Sequence, residues 1–187
     1  MGATRVLRPA VATLVERGER VLAVSRTAAD LELLGAECPG WVRTLAADCA
    51  RPDFPSRLRR AVEPAGLSGA LVYAPAASPH PTTRVPAGLL GGKPLVLILT
   101  SEVAAPKGRD DEEAAFGRGE PPHGLVPPEA LQGVDVRPLV LGWCASGGAV
   151  RWHTPAEISA AALALLDARH STGGLLGTVR PWADRPR

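Results

Sequence analysis

The chain has 187 residues, of which 45% are hydrophobic and 21% are charged. This size and composition predict a single globular domain over residues 1–187, with a sizeable core. The net charge is only +2, which gives no electrostatic reason to expect a nucleic acid or a membrane surface as partner. Because no apolar stretch approaches the roughly 20 residues of a membrane span and no signal peptide is recognisable, we expect a cytoplasmic protein.

The first half of the chain alternates helix and strand signals. Apolar residues at Leu7, Ala10, Val11 and Leu14 form one stripe and predict the first helix, and Gly18 follows where a C-terminal cap is expected. The next predicted elements are a strand over 20–26, a weak helix over 28–34, a strand over 41–48, a helix over 56–63 capped by Asp53, and a continuous apolar strand over 69–75.

The second half contains the clearest strand and the clearest helix. The strand over 94–101 is almost entirely apolar, as in a strand buried on both faces. Residues 102–133 are polar and rich in proline, so we predict a long mobile loop there. A strand over 134–143 follows and turns back through Gly147 and Gly148.

The helix that follows Thr154 has several start signals. Thr154 is the expected N-cap, Pro155 suits the first turn, and Glu157 completes a capping box. A last strand is predicted over 175–181. Strands that alternate with helices in this way predict an α/β fold, with a doubly wound, mostly parallel sheet and helices on both faces.

This order of elements resembles the short-chain dehydrogenase/reductase (SDR) superfamily, a Rossmann-like fold, over most of the chain. The superfamily opens with a strand, then the loop Gly-Ala-Thr-Gly-x-Leu-Gly, then a helix. Here Gly2, Ala3, Thr4, Arg5 and Leu7 occupy the loop positions. Two of the three glycines of this loop are replaced in the chain. The C-terminal part, from residue 139 onward, also looks like a group of bacterial SDR-like proteins. The resemblance therefore implies an atypical bacterial relative.

The resemblance implies a nicotinamide dinucleotide as cofactor, held by this loop. Glycines let the backbone approach the pyrophosphate, and Arg5 and Arg8 add bulk at two of those positions. Either arginine could instead contribute charge to a phosphate, because guanidinium groups form bidentate pairs with it.

Other cofactor positions of the superfamily are better matched. Arg26 follows the second strand of the superfamily, where relatives that prefer NADPH place a base for the 2′-phosphate. No acidic residue occupies that strand end, so the resemblance implies NADP(H). Asp48 matches the position that contacts the adenine. Ala74 and Pro75 belong to the segment that lines the cofactor cleft.

The catalytic positions are the weakest part of the resemblance. Ser101 matches the catalytic serine of the superfamily. The superfamily also uses a tyrosine and a lysine four residues apart on the next helix, and an asparagine. Tyr73 is the only tyrosine of this chain and no asparagine is present, so the Tyr-x-x-x-Lys motif is missing.

Three functions stay open on this basis. The first is a degenerate SDR-like protein that binds NADP(H) weakly, as a sensor, a partner or a feeble oxidoreductase of an unknown small substrate. The second is a non-catalytic interaction or regulatory protein whose cofactor cleft has closed. The third is an enzyme with a recruited proton donor such as His153.

The first strand of the superfamily has no counterpart before Gly2. In a doubly wound sheet that strand is central, and its absence leaves two neighbours without a ladder partner. Three outcomes are open: the neighbours pair with each other, another segment or a second chain fills the gap, or the true start of the protein lies upstream. We favour the last, and an unfilled edge also favours a homodimer.

Overall fold

The computed structural model describes residues 2–74, 89–104, 133–146, 149–169, 171, 173–179 and 181–186. The predicted loop over 102–133 lies almost entirely outside these residues, and so does Pro75.

The described residues form helices and strands that alternate along the chain, as predicted. The helices are α1 (Arg8–Glu16), α2 (Ala28–Glu37), α3 (Phe54–Val62) and α4 (Pro155–Asp167). The strands are β1 (Val21–Ser25), β2 (Val42–Ala46), β3 (Ala70–Ala74), β4 (Pro94–Leu99), β5 (Asp135–Leu141), β6 (Trp143–Ser146), β7 (Ala149–Trp152) and β8 (Gly174–Leu176). Short 3₁₀ helices cover Ser101–Ala104 and Trp182–Asp184. None of the helices described is long and apolar enough to cross a membrane.

The parallel strands form two separate groups. β1 and β2 pair in parallel, and β3, β4, β5 and β8 form a four-stranded parallel sheet in that order. No strand of the described residues joins β1 to β3. The α/β fold class with a mostly parallel sheet is therefore confirmed, whereas the first of the three open outcomes, direct pairing of β1 with β3, does not occur.

Helix α1 packs against both groups of strands. Its residue Val11 packs with Ala23 of β1 in one apolar cluster. Its residues Leu7 and Ala10 pack with Ile98 of β4 in another cluster, on the side of the four-stranded sheet. One helix therefore bridges both groups, and a cavity lined by residues of β1 and β3 lies between them.

Strand β4 is the centre of the core. Leu95, Leu97 and Leu99 belong to the apolar cluster on one face of the sheet, and Val96 and Ile98 belong to the cluster on the other face. All five are at most 2% exposed. Burial on both faces accounts for the continuous apolar sequence of this strand.

The strand predicted over 134–143 ends earlier, because Gly142 interrupts it. A Cβ atom at Gly142 would lie 2.1 Å from the carbonyl oxygen of Thr178, so the backbone of the C-terminal segment crosses at this residue. β6 then pairs with β7 in an antiparallel hairpin, with Ser146 opposite Ala149, which confirms the predicted reversal. The predicted strand over 175–181 is also shorter, since Thr178 forms only an isolated antiparallel bridge to Trp143.

The two predicted N-terminal helix caps have different outcomes. Thr154 accepts a hydrogen bond from the Glu157 N–H, and the Glu157 carboxylate accepts one from the Thr154 N–H, so the capping box of α4 is confirmed. Asp53 occupies the N-cap position of α3, but its side chain makes no cap hydrogen bond. Its carboxylate instead lies 3.9 Å from the Arg57 guanidinium in an exposed ion pair.

Candidate functional site

The segment over residues 2–7 lies between the carboxyl ends of β1 and β3. The Thr4 hydroxyl is 3.1 Å from the hydroxyl of Ser25, the last residue of β1. On the other side, Gly2 lies against Tyr73 near the end of β3. β2 pairs with β1 on one side of this place, and β4, β5 and β8 follow β3 on the other side. The strand order therefore reverses here, and ligand crevices of open α/β sheets form at such a point.

Gly2 is required by the local geometry of this segment. Its φ is +86°, and a Cβ atom there would lie 3.0 Å from the Cβ of Tyr73. A side chain at this position would therefore be strained both by the backbone conformation and by the neighbouring strand. The segment then turns through a hydrogen bond of 3.2 Å from the Leu7 N–H to the Gly2 carbonyl oxygen.

The two arginines that replace family glycines lie on the surface. Arg5 and Arg8 are both exposed, and the Arg8 guanidinium forms an ion pair with Glu37 at the end of α2. Their side chains therefore do not fill the space between β1 and β3. Ala3 and Leu7, in contrast, are buried in the apolar clusters beneath α1.

The N-terminus of α1 is electropositive and lacks a cap. Leu7 at the N-cap position offers no side-chain hydrogen bond, and no acidic residue lies in the first turn. The Arg8 N–H donates to the Arg5 carbonyl oxygen at 3.3 Å, and Pro9 has no N–H. The positive charge of this terminus therefore comes from the helix dipole and the exposed Arg5 guanidinium. An anion is the ligand that such a terminus favours.

Arg26 and Asp48 follow the ends of β1 and β2 respectively. Arg26 is exposed and therefore accessible to a ligand at this edge. Asp48 is partly buried, and its Oδ1 accepts a hydrogen bond of 3.0 Å from the Ala50 N–H. One carboxylate oxygen of Asp48 thus has a structural partner within its own turn.

The opposite side of the site is formed by the ends of β3 and β4. Ala74 is the last residue of β3 and pairs with Leu99. Ser101 begins the 3₁₀ turn after β4 and is only 7% exposed. The Thr100 hydroxyl is buried, with no hydrogen-bond partner among the residues described.

Tyr73 and Glu102 are brought together by the fold, which sequence reasoning did not predict. Burial raises the pKa of the Tyr73 phenol, and the Glu102 carboxylate raises it further. The phenol therefore stays neutral at physiological pH. The signal that could have identified Glu102 is its position one residue after Ser101, at the carboxyl end of the neighbouring strand.

His153 is enclosed, which does not favour its use as a proton donor. Its side chain is 7% exposed, with Nδ1 3.6 Å from a Glu157 carboxylate oxygen. A Cβ atom at Gly177 would lie 2.3 Å from its Nε2. Within the described ranges, no group of histidine, cysteine, aspartate or glutamate residues could hold a metal ion.

Comparison with known proteins identifies the fold. No family model and no curated protein matches the chain. An SDR-family oxidoreductase from Burkholderia thailandensis matches with a TM-score of 0.65 at 16% identity, over 93% of this chain and 87% of that one. A short-chain dehydrogenase from Streptomyces avermitilis matches with a TM-score of 0.63 at 14% identity, over 94% and 86%.

A third similar structure is a carbonyl reductase from Pseudomonas aeruginosa. Its TM-score is 0.60 at 13% identity, over 89% of this chain and 88% of that one. Similarity at these identities establishes the fold and assigns no residue of this chain a role.

Proposed function

We propose that this chain, which has the fold of the short-chain dehydrogenases/reductases, binds NADP(H) weakly at the carboxyl ends of β1 and β3. The observation that carries the proposal is the segment over 2–7. It places a positive-φ glycine and an uncapped, positively charged helix terminus at the point where the strand order reverses. Such a terminus is suited to a pyrophosphate.

The residues present fit parts of the cofactor. The positive dipole end of α1, with the Arg5 guanidinium beside it, would attract the pyrophosphate. The exposed guanidinium of Arg26 would pair with the 2′-phosphate, and Asp48 would contact the adenine through its free carboxylate oxygen. Ala74, at the end of β3, would border the cleft. We expect weak binding, because Arg5 and Arg8 stand where glycines would let the backbone approach the phosphates.

The chain offers little for catalysis beyond binding. A bound nicotinamide would supply or accept a hydride, and the matching proton needs a donor beside the substrate. Ser101 is buried in its turn, and no tyrosine follows it in the sequence. We therefore propose that any oxidoreductase activity on a small substrate is feeble and that cofactor binding is the main property.

Titration with NADPH tests this proposal through the fluorescence of the bound nicotinamide. We expect saturable enhancement with a Kd of about 0.1–1 mM, equivalent to about −5.5 to −4 kcal/mol. Arg26→Ala should weaken NADPH binding roughly tenfold, as expected for one charge-assisted contact, and should leave NADH binding unchanged. Arg20→Ala is the matched control, because Arg20 is exposed before the opposite end of the same strand.

Two results would contradict the proposal. Absence of saturation at millimolar NADPH would exclude cofactor binding and favour the interaction protein with a closed cleft. Equal binding of NADPH and NADH, with no effect of Arg26→Ala, would exclude the preference for the 2′-phosphate.

A further inference from the structure

Helix α4 has a polar side chain among its buried residues. Ser159 is 2% exposed. Its neighbours on α4 and the N-cap residue of α1 belong to one apolar cluster, with Ile158, Ala162, Leu163 and Leu7. A hydroxyl group in such surroundings is costly unless it is hydrogen-bonded. The partner of this hydroxyl therefore indicates what the residue does.

The Ser159 hydroxyl bonds a distant segment of the chain. It donates a hydrogen bond of 3.1 Å to the Val6 carbonyl oxygen, 153 residues earlier. A serine inside a helix can also donate to the carbonyl oxygen four residues before it, which for Ser159 is that of Pro155. Since a hydroxyl has one hydrogen to donate, the bond to Val6 uses that hydrogen and ties α4 to the segment over 2–7.

This bond fixes one peptide group of the segment. The Val6 carbonyl and the Leu7 N–H belong to the same planar peptide. Ser159 holds its oxygen, and the Leu7 N–H donates to the Gly2 carbonyl oxygen at 3.2 Å. The next carbonyl, that of Leu7, accepts from the Val11 N–H at 3.1 Å. Both sides of the peptide are thus held directly before α1 begins.

The bond from Ser159 supports the half of the segment that leads into α1. The other half is held by the strands, with Thr4 at the end of β1 and Gly2 against β3. Ser159 holds the second half from α4, next to the N-cap of α1. The direction of the α1 dipole and the position of Arg5 therefore depend on Ser159.

We propose that Ser159 is a positioning residue for the dinucleotide. Because it is 2% exposed, it cannot contact the ligand itself. It acts through the Val6 peptide, which determines where the dipole end of α1 and the Arg5 guanidinium face the pyrophosphate. The inference rests on the proposed function. It adds a residue from the C-terminal part of the chain to those that determine cofactor affinity.

Ser159→Ala tests the proposal, with Leu163→Val as the matched control. Both changes remove buried atoms of α4 from the same region of the core, and both should lower Tm by about 2–4 °C. Only Ser159→Ala removes the bond to Val6. We expect it to weaken the binding of NADPH and of NADH by the same factor, roughly three- to tenfold, because both contain the pyrophosphate. Leu163→Val should change neither affinity by more than about 1.5-fold.

A second comparison separates positioning from a general loosening of the fold. If Ser159 places Arg5, the two residues act on binding together. Arg5→Ala alone should weaken NADPH binding about threefold. The same change in the Ser159→Ala background should weaken it by less than about 1.5-fold. A serine that only stabilised the fold would leave the effects of the two changes independent.

Failure of this inference is distinguishable from failure of the proposed function. If the original chain binds NADPH and Ser159→Ala binds it equally well, or if Leu163→Val weakens binding as much, the inference is wrong and the proposed function stands. Independent effects of Arg5→Ala and Ser159→Ala would overturn the inference in the same way. Absence of saturable binding by the original chain would overturn the proposed function and this inference with it.

Discussion

Tyr73 connects the amino-terminal segment with the carboxyl end of the four-stranded sheet. It packs against Gly2 and is partly buried beside the cluster under α1 and α4. Burial is the main reason that its pKa is raised, and the negative charge of Glu102 is the second reason. Both effects disfavour the phenolate, so Tyr73 offers the candidate site a neutral hydroxyl.

Titration of Tyr73 can be followed directly, because it is the only tyrosine of the chain. The absorbance of tyrosinate should show a midpoint above the ordinary value of 10.0 in the folded protein. In urea the midpoint should return to about 10. Glu102→Gln should lower the folded midpoint only in part, because burial is the larger cause.

The raised pKa also sets a pH dependence of stability. A phenol whose pKa is higher in the folded state stabilises the protein below about pH 10 and loses that contribution as the pH rises through the folded pKa. Tyr73→Phe should therefore show less alkaline destabilisation than the original chain. Identical midpoints in folded and unfolded protein would contradict this account of the residue.

Helix α4 shows how local sequence fixes the start of an element. Thr154 and Glu157 exchange hydrogen bonds in the capping box, and the Arg151 guanidinium forms two hydrogen bonds of 2.8 Å and 2.7 Å to the Glu157 carboxylate. The hydrogen bond with Arg151 is the main reason that the pKa of Glu157 lies well below its usual range. The carboxylate therefore stays ionised at neutral pH.

Thr154→Ala should destabilise the protein by about 1 kcal/mol, because it removes the acceptor for the Glu157 N–H. Urea unfolding measures this change. Thr154→Ser is the matched control, since serine keeps the hydroxyl oxygen that accepts this hydrogen bond, and its effect should stay within about 0.5 kcal/mol. Equal effects of the two substitutions would show that the cap hydrogen bond contributes nothing.

Elements with strong local signals were predictable from the sequence. The start of α4 follows from Thr154, Pro155 and Glu157, and the apolar run of β4 follows from its burial on both faces. The break at Gly142 was not predictable, because it depends on the backbone of Thr178, which belongs to a distant segment of the chain. Contacts between distant segments leave no local pattern.

At the scale of the whole molecule, the fold and the position of the segment over 2–7 in it were predictable, and the details were not. The resemblance located the segment over 2–7 at the carboxyl edge of the sheet. It left open whether β1 and β3 pair with each other, since pairing between these strands depends on tertiary packing that leaves no local pattern. It also missed Glu102 beside Tyr73, because a charge near a buried phenol is a tertiary contact.

The central claim is that NADP(H) binds at the carboxyl ends of β1 and β3. The most direct test is an amide NMR titration of the full chain with NADP⁺. We predict saturable shift changes for residues 3–7, Arg26 and Asp48, and unchanged shifts for Lys93 and Asp135 at the amino ends of β4 and β5. Unchanged spectra, or changes confined to the amino ends of the strands, would contradict it.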